Sequence, residues 1–131
     1  MKRQAHFNEG WERHVDIIKQ NSEKVTVLTL RGDFTFPTRK DFTAAVQAAW
    51  AGGCSHLILN LEGVRFVDSA ALGLLALTQS QCNLNRRRLS LVKLQPYVEE
   101  IFRLANIHLL IPIYASENAA LSGMVAATPS V

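Results

Sequence analysis

The stretch from His56 to Gly73, HLILNLEGVRFVDSAALG, constrains this chain more than any other. It opens with His56–Leu61, a short apolar run rich in Leu and Ile that ends at Glu62-Gly63. A run that short, bounded by turn residues, reads as a buried strand rather than a helix. Val64–Val67 then reads as a loop. It leads to Asp68 and Ser69, both residue types that cap helices, and good helix formers follow at once. A buried strand joined through a few residues to a helix calls for layered α/β packing. It also delivers one hydroxyl, that of Ser69, to a helix start, where backbone N–H groups lack intrahelical partners and the partial charge is positive. A phosphate is tolerated there. A protein pressed against that helix end meets the same phosphate as about two extra negative charges. On the residues alone, Ser69 reads as a plain helix cap worth about 1 kcal/mol.

The rest of the chain can be laid around that stretch. Residues 1–12 are polar and irregular and read as a tail, with Trp11 covering a core edge. HVDIIK, 14–19, reads as a first strand, Asn21-Ser22-Glu23 as a turn, and VTVLTL, 25–30, as a second strand antiparallel to the first. Both faces of the second strand are mostly apolar, so it is expected to be covered on both sides. Arg31–Phe36 reads as a loop, and Pro37 suits the first turn of a helix whose Phe42, Ala45, Val46, Ala49 and Trp50 form one apolar stripe. Gly52-Gly53 ends that helix. The helix after Ser69 runs to about Asn85. Its Leu72 and Leu75 are expected inside, while Leu74 and Leu77 fit either the core or a partner surface. A strand with Leu89, Leu91 and Leu94 follows the turn at Arg86–Arg88, and Gln95-Pro96 opens a helix striped by Val98, Ile101, Phe102 and Ala105. Ile107–Ile113 reads as a last strand, at an edge because of Pro112, and 116–124 as a final helix. This order predicts an α/β fold: a mixed β-sheet with an antiparallel N-terminal hairpin, parallel later strands and about four α-helices. The domain spans 13–125, with tails at 1–12 and 126–131.

Composition narrows the function. A chain of 131 residues builds one core. The net charge of +3 comes partly from Lys2, Arg3 and the run Arg86-Arg87-Arg88, too little concentrated charge for a nucleic-acid binder. A polar N-terminus with Glu9, Glu12 and Arg13 is unlike a signal peptide, and no apolar stretch reaches the roughly 18 residues of a membrane span. Cys54 and Cys82 lack metal or redox spacing and read as free thiols in a reducing cytoplasm. His6, His14, His56 and His108 are scattered. There is no HExxH, no Gly-rich phosphate loop and no nucleophile elbow. The expectation is a cytoplasmic binding module that is not an enzyme and uses no cofactor or metal.

Three pieces in order carry a family likeness: LRGDF at the end of the second strand, LILNLEGVRFVDSAALG in the middle, and PYVEEIFRLANI on a later helix. Together, over roughly residues 24–121, they resemble the STAS domain of sulfate transporters and anti-sigma factor antagonists. The resemblance implies that unphosphorylated protein binds an anti-sigma factor of the ATP-binding serine-kinase type and releases a sigma factor. The kinase then phosphorylates the hydroxyl after the Asp, which maps onto Ser69, and a phosphatase resets the system. Asp68 would orient that hydroxyl, engage the kinase, or simply cap the helix. The partner surface implied comprises Asp68, Ala70, Ala71 and Leu72 with Asp33, Phe34, Thr35 and Phe36 of the preceding loop. Two departures stand out. Ala70 and Ala71 replace the family's second hydroxyl and glycine, and Thr35 stands where many phospho-regulated relatives carry an Asp, with Asp33 offset by two residues. These departures keep a second reading open, a STAS accessory subunit of an ABC-type lipid transporter ATPase.

Overall fold

The computed structural model describes residues 2–4 and 15–123. A six-stranded mixed sheet runs in simple sequence order: β1 (Lys2–Gln4), β2 (Val15–Ser22), β3 (Val25–Phe34), β4 (His56–Val67), β5 (Arg88–Val92) and β6 (Ile113–Tyr114). β1–β2 and β2–β3 are antiparallel, and every later pair is parallel. The expected hairpin is therefore β2–β3, and part of the expected tail is a strand: Lys2–Gln4 pairs with β2 at Ile17–Lys19. Trp11 lies outside the described residues.

Helices α1 (Arg39–Ala51), α2 (Ser69–Leu84) and α3 (Pro96–Leu104) occupy the crossovers, and α4 (Glu117–Ser122) is the last of the described elements. The stripe predicted for α1 holds: Phe42, Ala45, Val46 and Ala49 are buried against Leu28 and Leu30 of β3 and Leu57, Leu59 and Leu61 of β4. Ala71, Leu75 and Cys82 of α2 and Val98 and Phe102 of α3 join the same core. The other residues of β3 and β4 face a smaller cluster, where Ile58, Val92 and Ala120 of α4 meet the half-buried Val25, Val27 and Tyr114. The two-sided apolar pattern of the second strand is thus explained by helices on both faces of the sheet.

Three local readings are corrected. Val64–Val67 is not a loop but the end of β4, paired in parallel with Arg31–Phe34 of β3. The pairing steps from Thr29–Asn60 to Arg31–Gly63 and from Gly32–Val64 to Asp33–Phe66, so β4 carries an extra residue twice. Bulges of this kind bend a strand and re-aim its side chains. Gly63 is needed for close approach rather than for a turn: a Cβ there would lie 2.8 Å from Arg31 Cγ and 3.1 Å from Leu30 O. The strand expected at Ile107–Ile113 begins instead with a 3₁₀ turn, Ile107–Leu109, entered through Asn106 at φ 63°. Only Ile113–Tyr114 pairs, at the sheet edge that Pro112 implied. Asn21 and Ser22 belong to β2, and the turn is made by Glu23, at φ 54°, and Lys24.

Candidate functional site

β4 ends at Val67, and the backbone of Asp68 stays extended, with ψ 179°, before α2 begins at Ser69. Asp68 is the N-cap: its Oδ1 accepts from Ala71 N–H at 2.9 Å. Its Oδ2 accepts from Phe36 N–H at 2.9 Å, in the segment that follows β3. One carboxylate therefore fixes the start of α2 and staples the β3–α1 connection to it. Ser69 occupies the first helical position, exposed, and its hydroxyl makes no hydrogen bond among the described residues. The cap expected of Ser69 is thus supplied entirely by Asp68, which leaves the Ser69 hydroxyl free of structural duty.

The β3–α1 connection is held by hydrogen bonds of its own. Phe36–Thr38 forms a 3₁₀ turn with Pro37 near its start. Thr38 Oγ1 accepts from Thr35 N–H at 3.0 Å and lies 3.0 Å from the carbonyl oxygens of both Asp33 and Thr35. Phe36 is held half-out of the protein, 52% exposed. The guanidinium of Arg39 lies 3.6 Å above the centre of its ring, and Arg39 Nη1 donates to Phe36 O at 2.9 Å. At the same end, Arg65 reaches Asp33 at 3.4 Å across the extended β3–β4 pair, and Phe66 is partly exposed.

The expected surface separates into two groups. Ser69 and Phe36 are exposed, and Asp68, Ala70, Leu72 and Asp33 are partly so. Phe34, Thr35 and Ala71 are buried. The Phe34 ring packs 4.8 Å from that of Phe42, inside the core. The reason is periodic: Leu28, Leu30 and Phe34 share one face of β3 because the strand continues to residue 34. The alternation that placed Leu28 and Leu30 could have placed Phe34 too.

Two residues of the site, Arg39 and Gly73, were missed, and Leu77, open between core and partner surface in the sequence, lies on the exposed side. Arg39 is three residues after Phe36, and in a 3₁₀ turn positions i and i+3 eclipse; that spacing was the available signal. Gly73 and Leu77 stand one and two turns below Ser69 on the exposed side of α2, with Leu77 54% exposed. A Cβ on Gly73 would touch nothing within 4 Å, so the fold itself has no need of glycine there. All 16 residues of α2 are uncharged. An exposed, uncharged face with a bare leucine is unusual for a helix that meets only water. Leu74, the other residue open between two readings, is packed partly against the core.

Residues 16–120 match the family model of the STAS domain. The chain belongs to the STAS family. An anti-sigma F factor antagonist of Paenibacillus polymyxa is 23% identical over 113 residues, covering 83% of this chain and 94% of the relative. The crystal structure of an anti-sigma factor antagonist from Mycobacterium paratuberculosis superposes with a TM-score of 0.75 at 21% identity, covering 83% of this chain and 92% of that one. The Bacillus cell fate determinant SpoIIAA, in its phosphorylated form, superposes with a TM-score of 0.63 at 19% identity, covering 82% and 97%. At these identities the structural likeness is one of fold. In this STAS domain the site lies where strand ends and helix starts meet, with Ser69 at its rim. Among the described residues no group of His, Cys, Asp and Glu is arranged to hold a metal, and no helix is long and apolar enough to cross a membrane.

Proposed function

We propose that this STAS domain is an anti-sigma factor antagonist, a binding module rather than a catalyst, whose partner is an anti-sigma factor of the serine-kinase type. Unphosphorylated protein sequesters the kinase through the face made by Ser69, Gly73 and Leu77 of α2 together with Phe36. The observation that carries the reading is the division of labour at the helix start: Asp68 does the capping, and Ser69 is left exposed with an unengaged hydroxyl. The likeness to two anti-sigma factor antagonists, and to SpoIIAA in its phosphorylated form, supports it.

In the switching step the Ser69 hydroxyl oxygen bonds to the γ-phosphorus of the kinase's ATP. The bond from that phosphorus to the bridging oxygen breaks, ADP leaves, and the hydroxyl proton passes to a base of the kinase. The product phosphate sits at a helix N-terminus, where unpaired N–H groups and the helix dipole favour negative charge. The fold therefore tolerates what the interface does not, because a dianion buried against a partner without a matched cation is costly. A phosphatase returns the hydroxyl. The test is incubation with ATP and the purified partner kinase, followed by tandem mass spectrometry. Phosphate on Ser69, absent in Ser69→Ala, is the expected result. An unmodified chain beside a kinase that phosphorylates a known antagonist would overturn the reading. It would favour the accessory-subunit alternative, to which the uncharged α2 face with its exposed Leu77 is equally suited.

A further inference from the structure

Beside the Asp68–Ser69 helix start, the segment that Asp68 staples carries a cation with no counter-ion among the described residues. Arg39, the first residue of α1, stacks on the Phe36 ring and donates to Phe36 O, and among the described residues it has no carboxylate partner. Phe36 N–H is the group that Asp68 Oδ2 holds. One residue, Phe36, thus carries the Asp68 carboxylate on its N–H side and the Arg39 guanidinium on its carbonyl side, and Ser69 directly follows Asp68. The carboxylate does not compete for the arginine, because both its oxygens are engaged by backbone N–H groups.

We propose that Arg39 is a positioning residue for a phosphate on Ser69: its guanidinium covers Phe36 while the hydroxyl is free, and turns to the phosphate once one is present. The proposal rests on the reading of Ser69 as the phosphate acceptor. The exchange is favourable on simple grounds. The planar fork of arginine matches two phosphate oxygens at once, and a bond between two charged groups is roughly twice as strong as one to a neutral carbonyl. A dianion placed next to Asp68 also raises the need for a nearby cation. Phosphorylation then changes two surface properties together. It adds negative charge at the start of α2, and it strips the guanidinium from the exposed aromatic ring that the partner would meet. Arg65, a cation of the same end, is already paired with Asp33 and serves as the control.

The test uses full-length protein with phosphoserine installed at position 69 during translation, as wild type and as Arg39→Gln, Arg39→Lys and Arg65→Gln. The second ionisation of the phosphate, near pH 6 for a free phosphoserine, is followed by phosphorus NMR. With Arg39 in place it should move at least about 0.3 pH unit lower than in Arg39→Gln, a twofold change in proton affinity. Arg39→Lys, which keeps the charge but not the fork, should restore only part of the shift, and Arg65→Gln should leave it unchanged. In parallel, the Arg39 side-chain protons of the unphosphorylated protein should be displaced by the Phe36 ring current, and that displacement should collapse in the phosphoprotein. Equal titration of wild type and Arg39→Gln, or Arg39 resonances indifferent to the phosphate, would overturn the proposal. Because the phosphate is installed without a kinase, a kinase that ignores Ser69 would sink the functional reading and leave this result standing; an unshifted phosphate would do the reverse.

Discussion

Removing Asp68 should damage the protein far more than removing Ser69, although both stand at the same helix end. Asp68→Ala loses the cap on Ala71 N–H, worth about 1 kcal/mol. It also loses the charge-assisted bond to Phe36 N–H. Such bonds contribute roughly 1.5–3 kcal/mol when buried; Phe36 is exposed, so water recovers part of the loss, and about 1 kcal/mol is a fair share. The sum is about 2 kcal/mol. Asp68→Asn should fall between, because Asn caps well but lacks the charge. Ser69→Ala should cost less than about 0.5 kcal/mol, since the hydroxyl has no hydrogen bond among the described residues and Ala is the better helix former. Equilibrium urea unfolding of the three variants, with unchanged denaturant slopes, reads these differences directly. Equal losses for Asp68→Ala and Ser69→Ala would refute the assignment of the cap and, with it, the argument that Ser69 is free for signalling.

Three further outcomes follow from the same geometry. Phe34→Ala should cost about 3–5 kcal/mol, as deletion of a buried aromatic does, whereas Phe36→Ser should leave thermal stability within a few degrees and weaken partner binding. Gly73→Ala should raise stability by about 0.5–1 kcal/mol, because the added methyl meets open space; if a partner packs closely there, calorimetric titration should show weaker binding by the more stable protein. His56, only 6% exposed and 2.9 Å from Ser90 Oγ, has its pKa lowered from 6.5 to about 4, by burial first and by Arg88 second. Its neutral form is the one the fold accepts, so its contribution is fully present above pH 6.5 and is lost as the pH falls towards 4. The total is on the order of 3 kcal/mol, and unfolding measured across that range should show a shallower decline in His56→Gln.

The sequence made the element order readable because each helix carried its own signal. Pro37, Gly52-Gly53, Asp68-Ser69 and Gln95-Pro96 bracket α1, α2 and α3 within a residue or two, and the stripes of α1 and α3 were nearly correct. Strand ends were harder. Gly32 and Gly63 looked like turn residues, yet they let β3 and β4 continue side by side through two bulges, and a bulge depends on a neighbouring strand that local pattern does not reveal. The error at Phe34 followed directly, since a strand thought to stop at residue 30 could not carry Phe34 inward. Lys2–Gln4 was read as tail because a three-residue edge strand is specified by its partner and not by its own composition. At the site, the position of Ser69 was legible from Asp68 and the helix formers that follow. Its freedom from capping, the Asp68–Phe36 staple and the stacking of Arg39 were not, because each depends on how the β3–α1 connection folds back against α2.

In the proposed switch, phosphate on Ser69 changes binding without changing the fold. The most direct measurement is a pair of titrations of the purified partner kinase, one with unmodified protein and one with protein carrying phosphoserine at position 69, alongside thermal unfolding of both. Affinity should be at least tenfold weaker for the phosphoprotein, about 1.4 kcal/mol, with melting temperatures that agree within a few degrees. Equal affinities for the two forms, or an affinity loss that merely tracks unfolding of the phosphoprotein, would contradict it.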